Sequence, residues 1–197
     1  MDTFTAKNFE LRELKGISSK TIEEHIKLYN AYVKNANLVL AKIKEYENDP
    51  SVNAYVISEL RRRFGFEVGG VKNHEIYFSS FSGGPKTLTE QSTLINLIKQ
   101  QGENMDSLIS KMKSIAMTRG IGWAMLYYDK DSKKLLTTWV DEQHIGHLAG
   151  LPIILALDMW EHSYYLDYIP SEKSKYVDAF FENLNWEKIE ENLKAVL

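Results

Sequence analysis

Apolar side chains recur at Ile22, Ile26, Tyr29, Val33, Ala36, Leu40 and Ile43, in alternating steps of four and three. A sustained 3.5-residue stripe is the pattern of a long helix packed on another. Ser18 or Ser19 is placed to cap it, and it runs to about Glu47. Asn48-Asp49-Pro50-Ser51 reads as a turn, with Asp49 as cap and Pro50 at the first helical position. A second helical segment begins near Val52 and carries Tyr55, Val56 and Leu60. Gly65, Gly69 and Gly70 are expected to interrupt or bend it before helical spacing resumes at His74, Tyr77, Phe78 and Phe81. Two long helices joined by a short turn predict an antiparallel hairpin. Residues 1–17 read as irregular.

Ser82-Gly83-Gly84-Pro85-Lys86 is the strongest breaker cluster and predicts a boundary between domains at 1–84 and 85–197. Helical stretches are expected near 88–100 and 104–117, the second capped by Asn104. The period then changes to that of strands: Trp123–Tyr128, a polar turn over Asp129–Lys133, Leu135–Val140, and a third run at 152–157. Helices near 172–183 and 186–196 complete the chain. The fold class is α+β: a long N-terminal α-helical hairpin, then an α/β domain with a small three-stranded antiparallel sheet.

Composition narrows the function. The 197 residues are 44% hydrophobic and 26% charged, an ordinary globular balance, and the net charge of −3 implies no general polyanion binding. Arg61-Arg62-Arg63, the only tight basic run, reads as a solvated helix face. The absence of cysteine excludes disulfides, thiolate zinc and cysteine nucleophiles. No apolar run is long enough to span a membrane, and the N-terminus lacks the plan of a signal peptide. The expectation is a cytoplasmic protein without nucleic-acid or membrane partners.

The candidate chemistry lies around residue 158. An apolar run, Leu151-Pro-Ile-Ile-Leu-Ala-Leu157, ends at Asp158, and His162 follows four residues on. A helical turn from Asp158 would place both on one side. A carboxylate and an imidazole so held are half of a metal site; a buried Asp–His hydrogen bond is the alternative. Asp158-Met-Trp-Glu-His-Ser-Tyr-Tyr165 resembles the D-x-W-E-H-A-Y-Y signature of the iron/manganese superoxide dismutases. Asn73-His-Glu-Ile-Tyr-Phe78 resembles that family's N-H-x-x-F-W motif, with Tyr77 and Phe78 where two other aromatics are usual. Tyr32-Val-Lys-Asn-Ala-Asn37, Gly120-Ile-Gly-Trp-Ala-Met-Leu126 and Lys175–Trp186 resemble further family segments, so the resemblance covers about Ser18 to Glu190.

The resemblance implies a superoxide dismutase. It would disproportionate superoxide to dioxygen and hydrogen peroxide by alternating reduction and oxidation of one Mn or Fe per subunit. His25, His74, Asp158 and His162 would hold the metal, Gln143 would hydrogen-bond the solvent on it, Tyr32 would gate anion entry, and Trp123 would wall the site. Gly70 stands at the other origin known for that glutamine, and a glycine there would leave room for Gln143, as in the manganese branch. Glu161 and Tyr165 would lie at the interface of a homodimer, or of a tetramer built from it. His144, His147 and Glu142 form a competing set, read as loop and packing residues. A gateway histidine of the first helix is missing, and Tyr29 stands near its place. A metal-binding but non-dismutating scaffold or interaction protein is the alternative on the same fold. A helical binding module without metal is more distant.

One register question remains. In the family the first ligand precedes the channel tyrosine by eight residues, and eight back from Tyr32 is Glu24, not His25. Seven residues return a side chain to within roughly 20° of its starting face, whereas eight overshoot by about 80°. Eight suits a helix with a one-residue π-bulge. The unbroken stripe predicts a regular helix, with His25 facing the metal and Glu24 facing out.

Overall fold

The computed structural model describes residues 3–197; the first two residues of the expected irregular N-terminal stretch lie outside it. The hairpin is formed by α1 (Ser19–Tyr46) and α2 (Pro50–Ser79). Ser18 caps α1 by accepting the Thr21 N–H, and Asp49 caps α2 with Pro50 at its first position. The buried face of α1 is Thr21, His25, Tyr29, Tyr32, Val33, Ala36 and Val39. It is rotated slightly from the expected stripe at its N-terminal end, where Ile22 and Ile26 are only half-buried.

The glycines do not break α2, which runs unbroken for 30 residues. Each glycine weakens a helix interior by roughly 1 kcal/mol, and packing on α1 and on the sheet domain outweighs this. The glycines instead allow close approach. A Cβ at Gly69 would stand 2.0 Å from the Gln143 carbonyl oxygen, and one at Gly70 would stand 2.4 Å from the Tyr32 ring. The room at Gly70 is therefore taken by Tyr32 of the neighbouring helix, and it is Gly69 that admits the Gln143 segment. The basic run is an exposed face whose arginines pair with Glu47, Glu59 and Glu67.

Gly83 and Gly84 take positive φ values of 83° and 81° in the turn that leaves the hairpin. Next come α3 (Thr93–Gln100), which starts later than expected at its Ser92 cap, and α4 (Met105–Ala116), which Asn104 and Ser107 close with a reciprocal capping box. The sheet has three antiparallel strands, β1 (Gly122–Asp129), β2 (Lys134–Asp141) and β3 (Ile153–Asp158), in the order β2-β1-β3. All of β1 but its last residue is buried, because it is the central strand, α4 packs on it, and Trp123 at its start meets His74 and Tyr77 of α2. The chain closes with α5 (Lys173–Glu182) and α6 (Trp186–Lys194). Among the described residues, no helix is long and apolar enough to cross a membrane.

The segment after Asp158 departs from expectation. Asp158 is the last residue of β3, Trp160 is extended, and only a short 3-10 turn, Glu161–Ser163, follows. The turn is pinned by local acceptors: Asp158 Oδ1 takes the Trp160 N–H, and the Ser163 hydroxyl lies against the carbonyls of Asp158 and Trp160. Such side-chain bonds compete with a helix for the same backbone groups.

Candidate metal centre

The hairpin packs against the end of β3, and four side chains meet there. His25 comes from α1, His74 from α2, Asp158 from the end of β3 and His162 from the 3-10 turn. One ligand atom of each lies within 4.8 Å of the others, and among the described residues this is the one such group. Asp158 Oδ2 is the common point, 3.1 Å from His25 Nε2, 3.4 Å from His74 Nε2 and 3.0 Å from His162 Nε2. His25, His74 and Asp158 are fully buried; His162 keeps a quarter of its side chain exposed. The bond between Asp158 and His162 thus forms without the helical turn expected between them.

The donor set fits a metal ion. His74 Nδ1 lies 2.6 Å from the Gly70 carbonyl, which can only accept, so this nitrogen carries the proton and Nε2 holds a lone pair. That Nε2 is buried without a hydrogen-bond donor. Burial pushes His74 down to about 3 and lowers His25, so both stay neutral, the form that ligates. Burial alone would raise the Asp158 carboxyl, but the His162 and His25 imidazoles beside it hold it below the usual carboxylate range. Three imidazoles and one carboxylate suit a borderline to hard transition metal.

His25 is 1% exposed in an uninterrupted α-helix, without a π-turn. Glu24 faces solvent between Lys20 and Lys27, whose hydrogen bonds push it down to about 2. The helix is therefore regular between His25 and Tyr32, with His25 turned toward the cluster and Glu24 toward solvent. Tyr29 is fully buried, but its hydroxyl turns away from the cluster, accepting the Lys7 N–H and lying 3.4 Å from Glu75.

Gln143 enters from the loop after β2 and is completely buried. Its Oε1 accepts the Trp123 indole N–H at 3.1 Å. A Trp nitrogen can only donate, so the amide nitrogen faces the other way, toward the Tyr32 hydroxyl at 3.1 Å. Asn73 donates to the Gln143 carbonyl. Glu142 adopts φ 51°, a left-handed conformation unusual for its type. Around the cluster, Trp123 meets the His74 ring edge-on at 5.0 Å and Trp160 stacks on His162 at 5.9 Å.

His144 and His147 stay outside the cluster. His147 pairs with the Tyr127 hydroxyl and the Gln143 carbonyl, and His144 packs edge-on against Phe66. The Tyr176 hydroxyl of α5 lies 2.9 Å from the Asp158 carbonyl oxygen, and sequence reasoning missed this contact as it missed those of Asn73 and Glu142 beside the cluster. Asn73 lay inside a quoted motif but had no visible task, and a tyrosine on an amphipathic helix looks like ordinary core.

The two halves of this arrangement also have separate relatives in sequence. Residues 7–82 match the family described as iron/manganese superoxide dismutases, alpha-hairpin domain, and residues 90–192 match the C-terminal domain of the same enzymes. A superoxide dismutase (Fe) of Aquifex pyrophilus is 30% identical over 191 residues, covering 94% of this chain and 88% of its own length. A superoxide dismutase (Fe) of Saccharolobus solfataricus is 32% identical, covering 92% and 87%. A mitochondrial superoxide dismutase (Mn) of Glossina morsitans morsitans is 32% identical, covering 92% and 83%. Both domains are matched, in order and nearly end to end, and the interface between them carries three histidines around one aspartate: the chain belongs to the iron/manganese superoxide dismutase family.

Proposed function

We propose that this chain is a superoxide dismutase that holds one Mn or Fe ion between His25, His74, Asp158 and His162. The observation that carries the reading is the convergence of three imidazole nitrogens on one buried carboxylate oxygen. When bound, the metal supplies reversible one-electron exchange with superoxide, so that two superoxide ions and two protons become dioxygen and hydrogen peroxide. One carboxylate and three neutral imidazoles leave a positive charge at the site, which attracts a small anion.

The chain's own residues handle position and protons. Gln143 is held at both ends of its amide and stands as the group that orients solvent beside the metal. Tyr32 accepts from Gln143, so its own hydroxyl proton remains free to be donated; burial raises this phenol and keeps it protonated. Trp123, Trp160 and Phe78 surround the imidazoles with apolar rings and limit water.

We read the protein as a cytoplasmic homodimer. Tyr165, Leu166 and Ile169 are 62%, 54% and 60% exposed, and with the exposed Glu161 they flank the partly open His162 in the chain. A second copy laid on this cluster would cover them. We take the domains as 1–84 and 85–197; this reading is supported by a boundary that falls between the matched family segments, which end at 82 and begin at 90.

The reading is tested by metal analysis of the isolated protein and a dismutation assay after Mn or Fe reconstitution. One equivalent of metal and dismutation by the loaded protein are expected. Asp158→Ala and His162→Ala should each abolish stoichiometric metal; a full equivalent retained by either would sink the site assignment. A metal-loaded protein without turnover would favour the non-dismutating scaffold. A monomer in light scattering at micromolar concentration would refute the dimer.

A further inference from the structure

Two phenols that this chemistry leaves unused stand directly behind the cluster. Tyr77 of α2 and Tyr176 of α5 are both fully buried. Their hydroxyl oxygens are 3.2 Å apart, and the Tyr176 hydroxyl is 2.9 Å from the Asp158 carbonyl oxygen. Counting protons fixes the direction of the chain. The carbonyl can only accept, so Tyr176 donates to it, and Tyr77 donates to Tyr176. Reversed, Tyr176 would spend its one proton on Tyr77 and leave the carbonyl to Ser163, whose hydroxyl lies nearer the Trp160 carbonyl (2.7 Å) than that of Asp158 (3.1 Å).

The Tyr77 ring also packs at 4.9 Å on the His25 ring. Its other neighbours are apolar, Phe81 at 5.1 Å and Phe180 at 5.6 Å. A phenylalanine would fill this place as well, so a buried hydroxyl here carries a desolvation cost that only its bond to Tyr176 offsets.

We infer that Tyr77 and Tyr176 are positioning residues for the metal centre. Their hydroxyl pair fixes the end of β3, and with it the Asp158 carboxylate, while the Tyr77 ring holds His25 in place. A single buried hydrogen-bonded chain thereby sets ligands from both domains. The inference rests on the metal reading of the four-residue cluster.

The test compares Tyr77→Phe, Tyr176→Phe, the double variant and Leu97→Ala, a buried position on α3 outside the cluster. Mn(II) affinity and the EPR spectrum of the Mn(II)-loaded protein report the geometry; thermal midpoints report the fold. Tyr176→Phe is expected to weaken Mn(II) binding about tenfold, the usual lower range for a residue that orients a ligand, and to change the spectrum. Tyr77→Phe should do less, because the bond from Tyr176 to Asp158 survives. The double variant should recover part of the thermal loss of Tyr176→Phe, because it no longer strands the Tyr77 hydroxyl. Leu97→Ala should lose thermal stability with a parental spectrum. Parental affinity and spectrum in Tyr176→Phe would overturn the proposal while leaving the metal reading intact; so would a spectral change in Leu97→Ala of the same size as in Tyr176→Phe. A parent protein that took up no Mn(II) would overturn both.

Discussion

His25 and Tyr32 stand seven residues apart on an unbroken α-helix and face the same interior: His25 meets Asp158 at 3.1 Å, and Tyr32 accepts from Gln143 at 3.1 Å. Two turns of helix thus present an imidazole and a hydroxyl in register. His25→Ala is expected to lose stoichiometric Mn or Fe, and Glu24→Ala to keep it, since Glu24 pairs only with Lys20 and Lys27. Metal analysis of both variants decides; metal lost from Glu24→Ala and kept by His25→Ala would reverse the assignment.

Gln143→Ala should keep its metal and lose activity by about 10- to 100-fold, the range for residues that touch a ligand or solvent and not the ion. It also strands the Trp123 indole N–H, whose one partner is Gln143 Oε1. Steady-state turnover set beside metal content separates this from simple metal loss. Full activity in the variant would remove Gln143 from the mechanism.

Much of the fold was legible because its signals are local. The long first helix, the Asp49–Pro50 start of α2 and the apolar strand runs each depend on neighbours a few residues away, and these elements appear where expected. The failures have two causes. Gly69 and Gly70 look like breakers until what presses against α2 is known: the Gln143 segment, some seventy residues later, at Gly69, and Tyr32 of α1 at Gly70. The helix expected from Asp158, by contrast, gives way to a turn for a local reason, because Asp158, Ser163 and Trp160 bond to one another. His74, Asp158 and His162, which meet in the cluster, were readable because their motifs are contiguous. Tyr77 and Tyr176 were not readable as a pair, because nothing in sequence links residues on two distant helices.

Glu142 carries an avoidable strain. Its φ of 51° is one that a side chain without a short polar group adopts at a cost of about 1–2 kcal/mol. Asparagine tolerates this region better, and the bond from Trp160 goes to the Glu142 main-chain oxygen, which the substitution keeps. Glu142→Asn should therefore stabilise by about 0.5–1 kcal/mol, raising the thermal midpoint by roughly 1–4 °C. A lower midpoint in calorimetry would show that the Glu142 side chain itself contributes.

Glu190 gives stability a pH dependence. Burial alone would raise its carboxyl, but the Thr93 N–H at 2.6 Å, the Ser92 hydroxyl and Lys194 hold it below the ordinary value. With the folded value depressed, the unfolded chain binds more protons in the interval between the two. The contribution is therefore complete above the unfolded value near 4.3 and is lost as pH falls through the folded one. Glu190→Gln should cost about 1–2 kcal/mol at pH 7, the scale of a hydrogen bond to a charged group, and the difference from the parent should shrink below about pH 4. Urea midpoints at the two pH values measure it; a gap that stayed constant would mean that the carboxylate charge contributes nothing.

Gly65 and Gly69 lie four residues apart on one helix, yet alanine should have opposite effects at the two. At Gly65 the nearest atom to a new Cβ is His144 Cδ2 at 3.5 Å, an ordinary contact. Alanine there gains helix propensity and should stabilise by up to about 1 kcal/mol. At Gly69 the new Cβ would stand 2.0 Å from the Gln143 carbonyl oxygen and 2.8 Å from its carbon, both main-chain atoms that no rotamer change can move. The helix or the loop after β2 must shift, at a cost of about 1–3 kcal/mol that exceeds the propensity gain. That shift also carries Gln143 away from Tyr32 and Trp123. Gly69→Ala should therefore lose both stability and turnover while keeping its metal, since no ligand sits on the displaced loop. Thermal midpoints, metal content and turnover of the two variants test this together. Equal behaviour at the two positions would mean that the close approach of the Gln143 loop to α2 does not hold in solution.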